Sequence, residues 1–125
     1  MNTTFPTHLK YAKSASLKST MRDRVGACLV VGKSILNGHN KNKTHTIYAN
    51  PNKHNRLSVH AELDCLNKAP VTEDSIIYVY REVHGKPAIA RPCEHCMEFL
   101  KKARVKRMVY SIPDHPYWKE EDICY

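Results

Sequence analysis

Two short clusters constrain this chain more than any other feature: His60-Ala61-Glu62 and Pro92-Cys93-Glu94-His95-Cys96. Each is weak alone. A Cys-x-x-Cys can be a redox pair, half of a structural zinc site or two packed thiols, and His-x-Glu arises readily by chance. Each stands where a strand or loop gives way to a helical pattern. A fold that uses both must therefore bring two helix starts to one point. Cys93 and Cys96, three apart, share one side of a helix, whereas His60 and Glu62, two apart, would diverge in mid-helix. The latter pair belongs in a first, still irregular turn.

Those residue types have a joint chemistry. Zinc in a catalytic site takes three protein ligands and leaves one position for water. His60, Cys93 and Cys96 supply three donors, and Glu62 is left free for proton work. Helix N-termini aimed at the metal would favour thiolate and hydroxide. Zinc can lower the pKa of bound water from about 15.7 towards ~7, which suits attack on an amidine carbon. Glu62 would take the water proton, deliver it to a ring nitrogen and later protonate departing ammonia.

The rest of the chain supplies a scaffold of matching size. At 125 residues there is room for one domain, residues 1–125, and 42% hydrophobic with 26% charged residues suits a globular core. Leu9, Ala12, Ser16, Leu17 and Met21 predict an amphipathic helix from Thr7 to Met21. Gly26–Val31 and Ser34–Asn37 flank Gly32-Lys33 and read as a tight hairpin. Residues Gly38 to Leu57 show no apolar period and read as a long loop. Ser58 is placed to cap a helix from Val59 to about Lys68. Ser75–Arg81 reads as a central strand, and Pro92 fits the first turn of a helix from Cys93 to about Arg104. Arg107–Ser111 is the next strand. A last one from Glu120 to Tyr125 should pair antiparallel with it, because about seven residues cannot make a parallel crossover. The order implies a sheet covered by helices.

Jointly, the two clusters match the zinc-dependent nucleobase deaminase signature. With Val25-Gly26-Ala27 and Gly38-His39-Asn40 added, the chain resembles the cytidine and deoxycytidylate deaminase superfamily over nearly all its length. The resemblance implies a three-layer α/β/α sandwich around a five-stranded mixed sheet, in the α/β class. It also implies that Asn40 hydrogen-bonds the substrate, that backbone at Ala61 and at Pro92-Cys93 holds the base, and that the chain could be a homo-oligomer. Arg91 stands where tRNA adenosine deaminases usually have Glu, so cytosine is expected rather than adenine. His60 stands where small free-cytidine deaminases normally use Cys.

Charge bears on the substrate. The net charge is +8, and from Arg24 to Ala61 there is no acidic residue. Polyanionic partners are favoured, and Arg24 and His45 become candidate substrate contacts. A second basic group, Lys101 to Arg107, reads as a solvated helix end. Tyr48, Tyr117 and Trp118 could stack bases or simply pack. His95 points away from its neighbouring ligands. Cys28, Cys65 and Cys124 read as packed thiols, and an odd count of five cysteines fits a reducing compartment. With no apolar run of membrane-spanning length, the expectation is a cytoplasmic protein with no membrane partner.

The expected function is zinc-dependent deamination of cytosine to uracil on single-stranded DNA or RNA. A free cytidine nucleotide or nucleoside is the alternative substrate. A non-catalytic nucleic-acid-binding module with structural zinc is the alternative of another class, and a redox role for Cys93 and Cys96 is the weakest.

Overall fold

The computed structural model describes residues 5–19, 23–42, 58–68 and 74–123. Its first helix, α1 (Thr7–Ser16), buries Leu9, Ala12, Ala15 and Ser16. It stops short of the expected Met21, which lies outside the described residues. The Ser16 hydroxyl turns back onto the Lys13 carbonyl at 2.6 Å. The amides of Leu17, Lys18 and Ser19 then bond three residues back instead of four. This tightening ends the helix.

Strands β1 (Arg24–Val31) and β2 (Ser34–His39) form the expected hairpin, with Val31 facing Ser34. Gly32 takes φ 57, the positive value such a turn requires. The first residues of the expected loop after it are in strands. Gly38 and His39 complete β2, and β3 (Lys41–Asn42) pairs antiparallel with β4 (Ser58–Val59). Residues 43–57, including His45 and Tyr48, lie outside the described residues. Because Ser58 and Val59 are in extended pairing, Ser58 is no helix cap; helix α2 runs from Ala61 to Leu66 with His60 as its N-cap.

The central strand β5 (Ser75–Val83) pairs antiparallel with β1 on one side and parallel with β7 (Arg107–Ser111) on the other. Helix α3 (Glu94–Lys102) makes the crossover. Its N-cap is Cys93, so Pro92 lies just before the helix and not in its first turn. At the far end Arg104 adopts φ 63, and Val105 N–H bonds the Leu100 carbonyl at 3.0 Å, closing the helix earlier than Arg104. The tail strand β8 (Trp118–Asp122) pairs antiparallel with β7, as the short connection required, but begins two residues early, with Trp118 opposite Ser111.

The main sheet therefore has the order β2-β1-β5-β7-β8, and a sixth strand, β6 (Lys86–Ala88), folds back onto the end of β5. That is one strand more than expected. His84 and Gly85 both take positive φ, 53 and 77, a tight turn that returns the chain at once. Pro87 in so short a run argues against a strand on sequence grounds, yet among the described residues β6 pairs with β5 alone, where a proline is tolerated.

Alternate side chains of the sheet face opposite layers. Ala27, Leu29, Val31, Ile77, Val79 and Met108 pack with Ala61, Cys65 and Leu100 of α2 and α3. Cys28, Tyr80 and Val109 pack with Leu9 and Ala12 of α1 on the other face. The result is the expected three-layer arrangement. Two glycines set how closely the helices approach. A Cβ on Gly26 would lie 1.9 Å from the Ala12 carbonyl oxygen, and one on Gly38 would lie 2.8 Å from that of Ala61. Helix α1 rests on β1, and α2 on β2, with no room for a methyl group.

Gly26→Ala must push α1 off the sheet. A cost of about 1–3 kcal/mol is expected for such overpacking, lowering the thermal midpoint by roughly 4–15 °C. Circular dichroism melting checks this; an unchanged midpoint would show that the helix can shift freely.

Candidate metal centre

The parallel strands β5 and β7 end at Val83 and Ser111, and ligands in such sheets gather outside their carboxyl ends. Two segments arrive there. Val59 pairs with Lys41, and His60 follows it with extended backbone, φ −75 and ψ 150, as the N-cap of α2. Cys93 arrives the same way, φ −69 and ψ 168, as the N-cap of α3. Both are thus held in the irregular first turn that the spacing of His60 and Glu62 called for.

The three donors converge. One ligand atom each from His60, Cys93 and Cys96 lies within 4.8 Å of the others. His60 Nδ1 is 2.9 Å from Cys96 Sγ and 3.8 Å from Cys93 Sγ. Zinc bonds of about 2.0–2.3 Å in tetrahedral geometry separate neighbouring donors by roughly 3.3–3.8 Å. The nitrogen and two sulfurs are therefore near the spacing that zinc needs, and their chemistry suits it. His95 is not part of the trio: its ring meets those of His60 and Phe99 edge-on, with centroids 6.5 Å and 5.1 Å away.

Glu62 sits in the first turn of α2 and is only 5% exposed. Burial pushes its carboxyl up to about 7, while its own backbone N–H pulls the other way. A carboxyl so placed can both accept and return a proton near neutrality, and a cation beside it would favour the charged form. Burial and the charge of Glu62 raise the Cys96 thiol well above the ordinary range. Cys28 and Cys65 are packed thiols as expected, fully buried, while Cys124 lies outside the described residues.

The sequence does not announce what holds Cys93. The Ser111 hydroxyl, fully buried, donates to the Ala88 carbonyl at 2.7 Å and accepts from Arg81 N–H at 3.0 Å. The Ser111 carbonyl accepts from Ala90 N–H at 3.0 Å. One residue thereby ties β5, β7 and the segment entering Cys93. Arg91, two residues before the ligand, grips Glu121 on β8 through two nitrogens at 3.1 and 3.3 Å, and Tyr110 hydroxyl bonds the same carboxylate. A serine in a strand carries no sequence signal for this. Asp64, also unflagged, accepts the His39 amide at 3.2 Å and so joins α2 to β2.

The remaining candidates divide. Ala61 is fully buried at the start of α2, and Pro92 is buried directly before Cys93. Asn40 is 8% exposed. Continuing the Lys41–Val59 register one step sets it across from His60. Its side chain holds the start of β1, accepting from Val25 N–H at 2.9 Å and donating to the Asp23 carbonyl at 2.7 Å. Among the described residues, these bonds leave one amide hydrogen and one lone pair for a ligand. Arg24 is exposed at the start of β1, opposite Glu82. His45 lies outside the described residues.

A family model described as the cytidine and deoxycytidylate deaminase zinc-binding region matches residues 3–112. Among solved structures, dCMP deaminase from the cyanophage S-TIM5 in apo form is 24% identical, covering 84% of this chain and 79% of that one, with a TM-score of 0.59. Cytidine deaminase from Burkholderia pseudomallei is 19% identical, covering 96% and 93%, with a TM-score of 0.69. Cytidine deaminase from Mycobacterium tuberculosis is 18% identical, covering 86% and 81%, with a TM-score of 0.58. At these identities the likeness is one of fold. No curated protein sequence matches.

Ser111→Ala should weaken zinc binding about 10-fold, the usual effect of removing a partner behind a ligand. Chelator competition measures it. Val109→Ala, two residues earlier on the same strand and packed against Leu9 and Ala12 of α1, is the control: it should lower stability and leave zinc affinity alone.

Proposed function

The chain belongs to the cytidine and deoxycytidylate deaminase family, and from that premise we propose that it hydrolyses cytosine to uracil with release of ammonia. The observation that carries the reading is the convergence of His60, Cys93 and Cys96 beside the buried Glu62. A water oxygen forms the new bond to ring carbon C4, and the exocyclic C–N bond breaks. Zinc held by the three donors would supply a Lewis acid that makes the water acidic enough to react at neutral pH.

The chain's own residues do the rest. Glu62 accepts the water proton, hands it to the ring nitrogen and returns one to the departing amine. Its burial keeps bulk water from competing for that proton. Backbone groups at Ala61 and around Pro92-Cys93 frame the ring, and the free valences of Asn40 meet the sugar or base. A binding module with structural zinc would have no use for a buried carboxyl at this place.

For the substrate we favour single-stranded nucleic acid. The first 61 residues hold ten Lys and Arg against one acid, Asp23, and Asp23 is already paired with Arg81 at 2.9 Å. Charge of one sign on this scale suits a chain of phosphates, and a single-stranded base is already open to attack. A second reading is a free nucleotide or nucleoside. It is favoured by the similar folds named dCMP deaminase and cytidine deaminase, and two or three of the same cations would suffice for one phosphate.

Glu62→Gln should abolish turnover while one zinc per chain stays bound, as elemental analysis would show. Full activity in that variant would remove the role given to Glu62. Mass spectrometry after incubation with dCMP, CMP, cytidine and cytosine-containing single-stranded DNA or RNA separates the two substrates. Uracil confined to the oligonucleotides, with binding that falls steeply between low and moderate salt, is the expected result; conversion of monomers alone would establish the second reading.

A further inference from the structure

On the face of the sheet opposite the metal trio lies a cleft of about 390 Å³ lined by Phe5, Lys10, Lys13, Tyr80, Pro87 and Tyr117. We propose that this cleft is a second nucleotide site, where a nucleic-acid strand sets one base against Tyr117 and Phe5 and the adjoining phosphate between Lys10 and Lys13. The inference rests on the single-strand substrate reading and extends it to a contact remote from the reacting base.

Three observations carry it. The first is the composition of the cleft: aromatic faces beside ammonium groups are what a stacked base with its phosphate requires. Phe5 packs edge-on to Tyr80 at 6.2 Å, and Lys13 Nζ lies 5.7 Å above the Tyr80 ring. The floor is thus preformed, with one cation already held over it.

The second is the placement of Tyr117. Tyr117 is 43% exposed, yet its backbone adopts φ 74, a conformation uncommon for a bulky residue. The turn holds it there, with Tyr117 N–H bonded to the Asp114 carbonyl at 2.6 Å and the Tyr117 carbonyl accepting from Ile112 at 3.1 Å. Strained backbone that presents an exposed side chain over a cleft is a recurrent feature of ligand sites.

The third is charge. Helix α1 has no acidic residue, and among the described residues neither Lys10 nor Lys13 has an ion-pair partner. The other basic group behaves differently: Lys106 pairs with Asp74 at 3.3 Å, and Arg107 with Glu120 at 2.8 Å and Asp122 at 3.3 Å. Among the described residues, a carboxylate bonded to the cleft lining is that of Glu82, which accepts the Tyr80 hydroxyl at 3.2 Å. The cations facing the cleft are therefore available to an anion from solution.

The test is fluorescence anisotropy of a labelled thymine-only DNA 12-mer on full-length Glu62→Gln protein, which has no target base to turn over. Added Tyr117→Asn, which tolerates the positive φ, should weaken binding about 10-fold, while Tyr117→Trp should retain it. The double change Lys10→Ala with Lys13→Ala should reduce the slope of log affinity against log salt by roughly 0.7, for the one phosphate the pair holds. Variants that bind like their parent would overturn the cleft and leave the deamination reading to its own assay. A parent that does not bind the 12-mer would also overturn it, with the cytosine oligonucleotide assay still deciding the substrate. Displacement of the strand by thymidine monophosphate at equal nucleotide concentration would make this a mononucleotide pocket and overturn the strand assignment.

Discussion

A divalent ion cannot be held by donors from separate chain segments unless the backbone delivers them to within about 4 Å of one another, against their entropy. Here the delivery is made by two helix N-caps. His60 and Cys93 both sit with extended backbone immediately before a helix. Their ligand atoms converge while the residue after each begins to coil. Cys96, three residues into α3, reaches the same point because one helical turn restores direction. If either cap moves, the trio comes apart. The close seat at Gly38 matters for this reason: it fixes the position of α2, which a methyl group would displace.

The loop into Cys93 is the less regular of the two approaches, and its hydrogen bonding is correspondingly dense. Ser111 closes β5, β7 and residues 88–90 around one buried hydroxyl. Arg91 and Tyr110 both reach Glu121 on the edge strand. The tail strand β8 thus has a part in the site although it contributes no ligand. Desolvation of Glu62 belongs to the same construction. The packing that presses α2 onto the sheet also removes the carboxyl from water, raising its proton affinity to where transfer in both directions is easy.

Basic residues are sorted by region, and the sorting carries the substrate argument. After α3 they meet carboxylates, as with Lys106 and Arg107. Towards the N-terminus they have almost none to meet, since Asp23 is the one acid among the first 61 residues. Self-repulsion on that scale disfavours a compact state unless something anionic relieves it. Both the metal centre and the α1 cleft are bordered by elements from this region.

Much of the site was legible because metal chemistry restricts residue types and helix geometry restricts their spacing. His60, Glu62, Cys93 and Cys96 could be singled out before any fold was known. So could the Gly32-Lys33 hairpin and the antiparallel tail, each dictated by a short connection. Ser58 misled, because its capping chemistry is local while its pairing with Asn42 is not. Strand β6 was hidden by Pro87, whose cost depends on which neighbours a strand has. Ser111 had no signal at all, since a hydroxyl's worth depends on the partners that surround it. The sequence by itself determined which side chains could bind zinc and move a proton, because donor type and spacing are local properties. Only the tertiary structure decided that Ser111, Glu121 and Asp64 brace the segments carrying those groups and that Tyr117, Lys10 and Lys13 line one cleft. Contacts between residues distant in the chain arise from packing, and packing is settled by the whole fold at once.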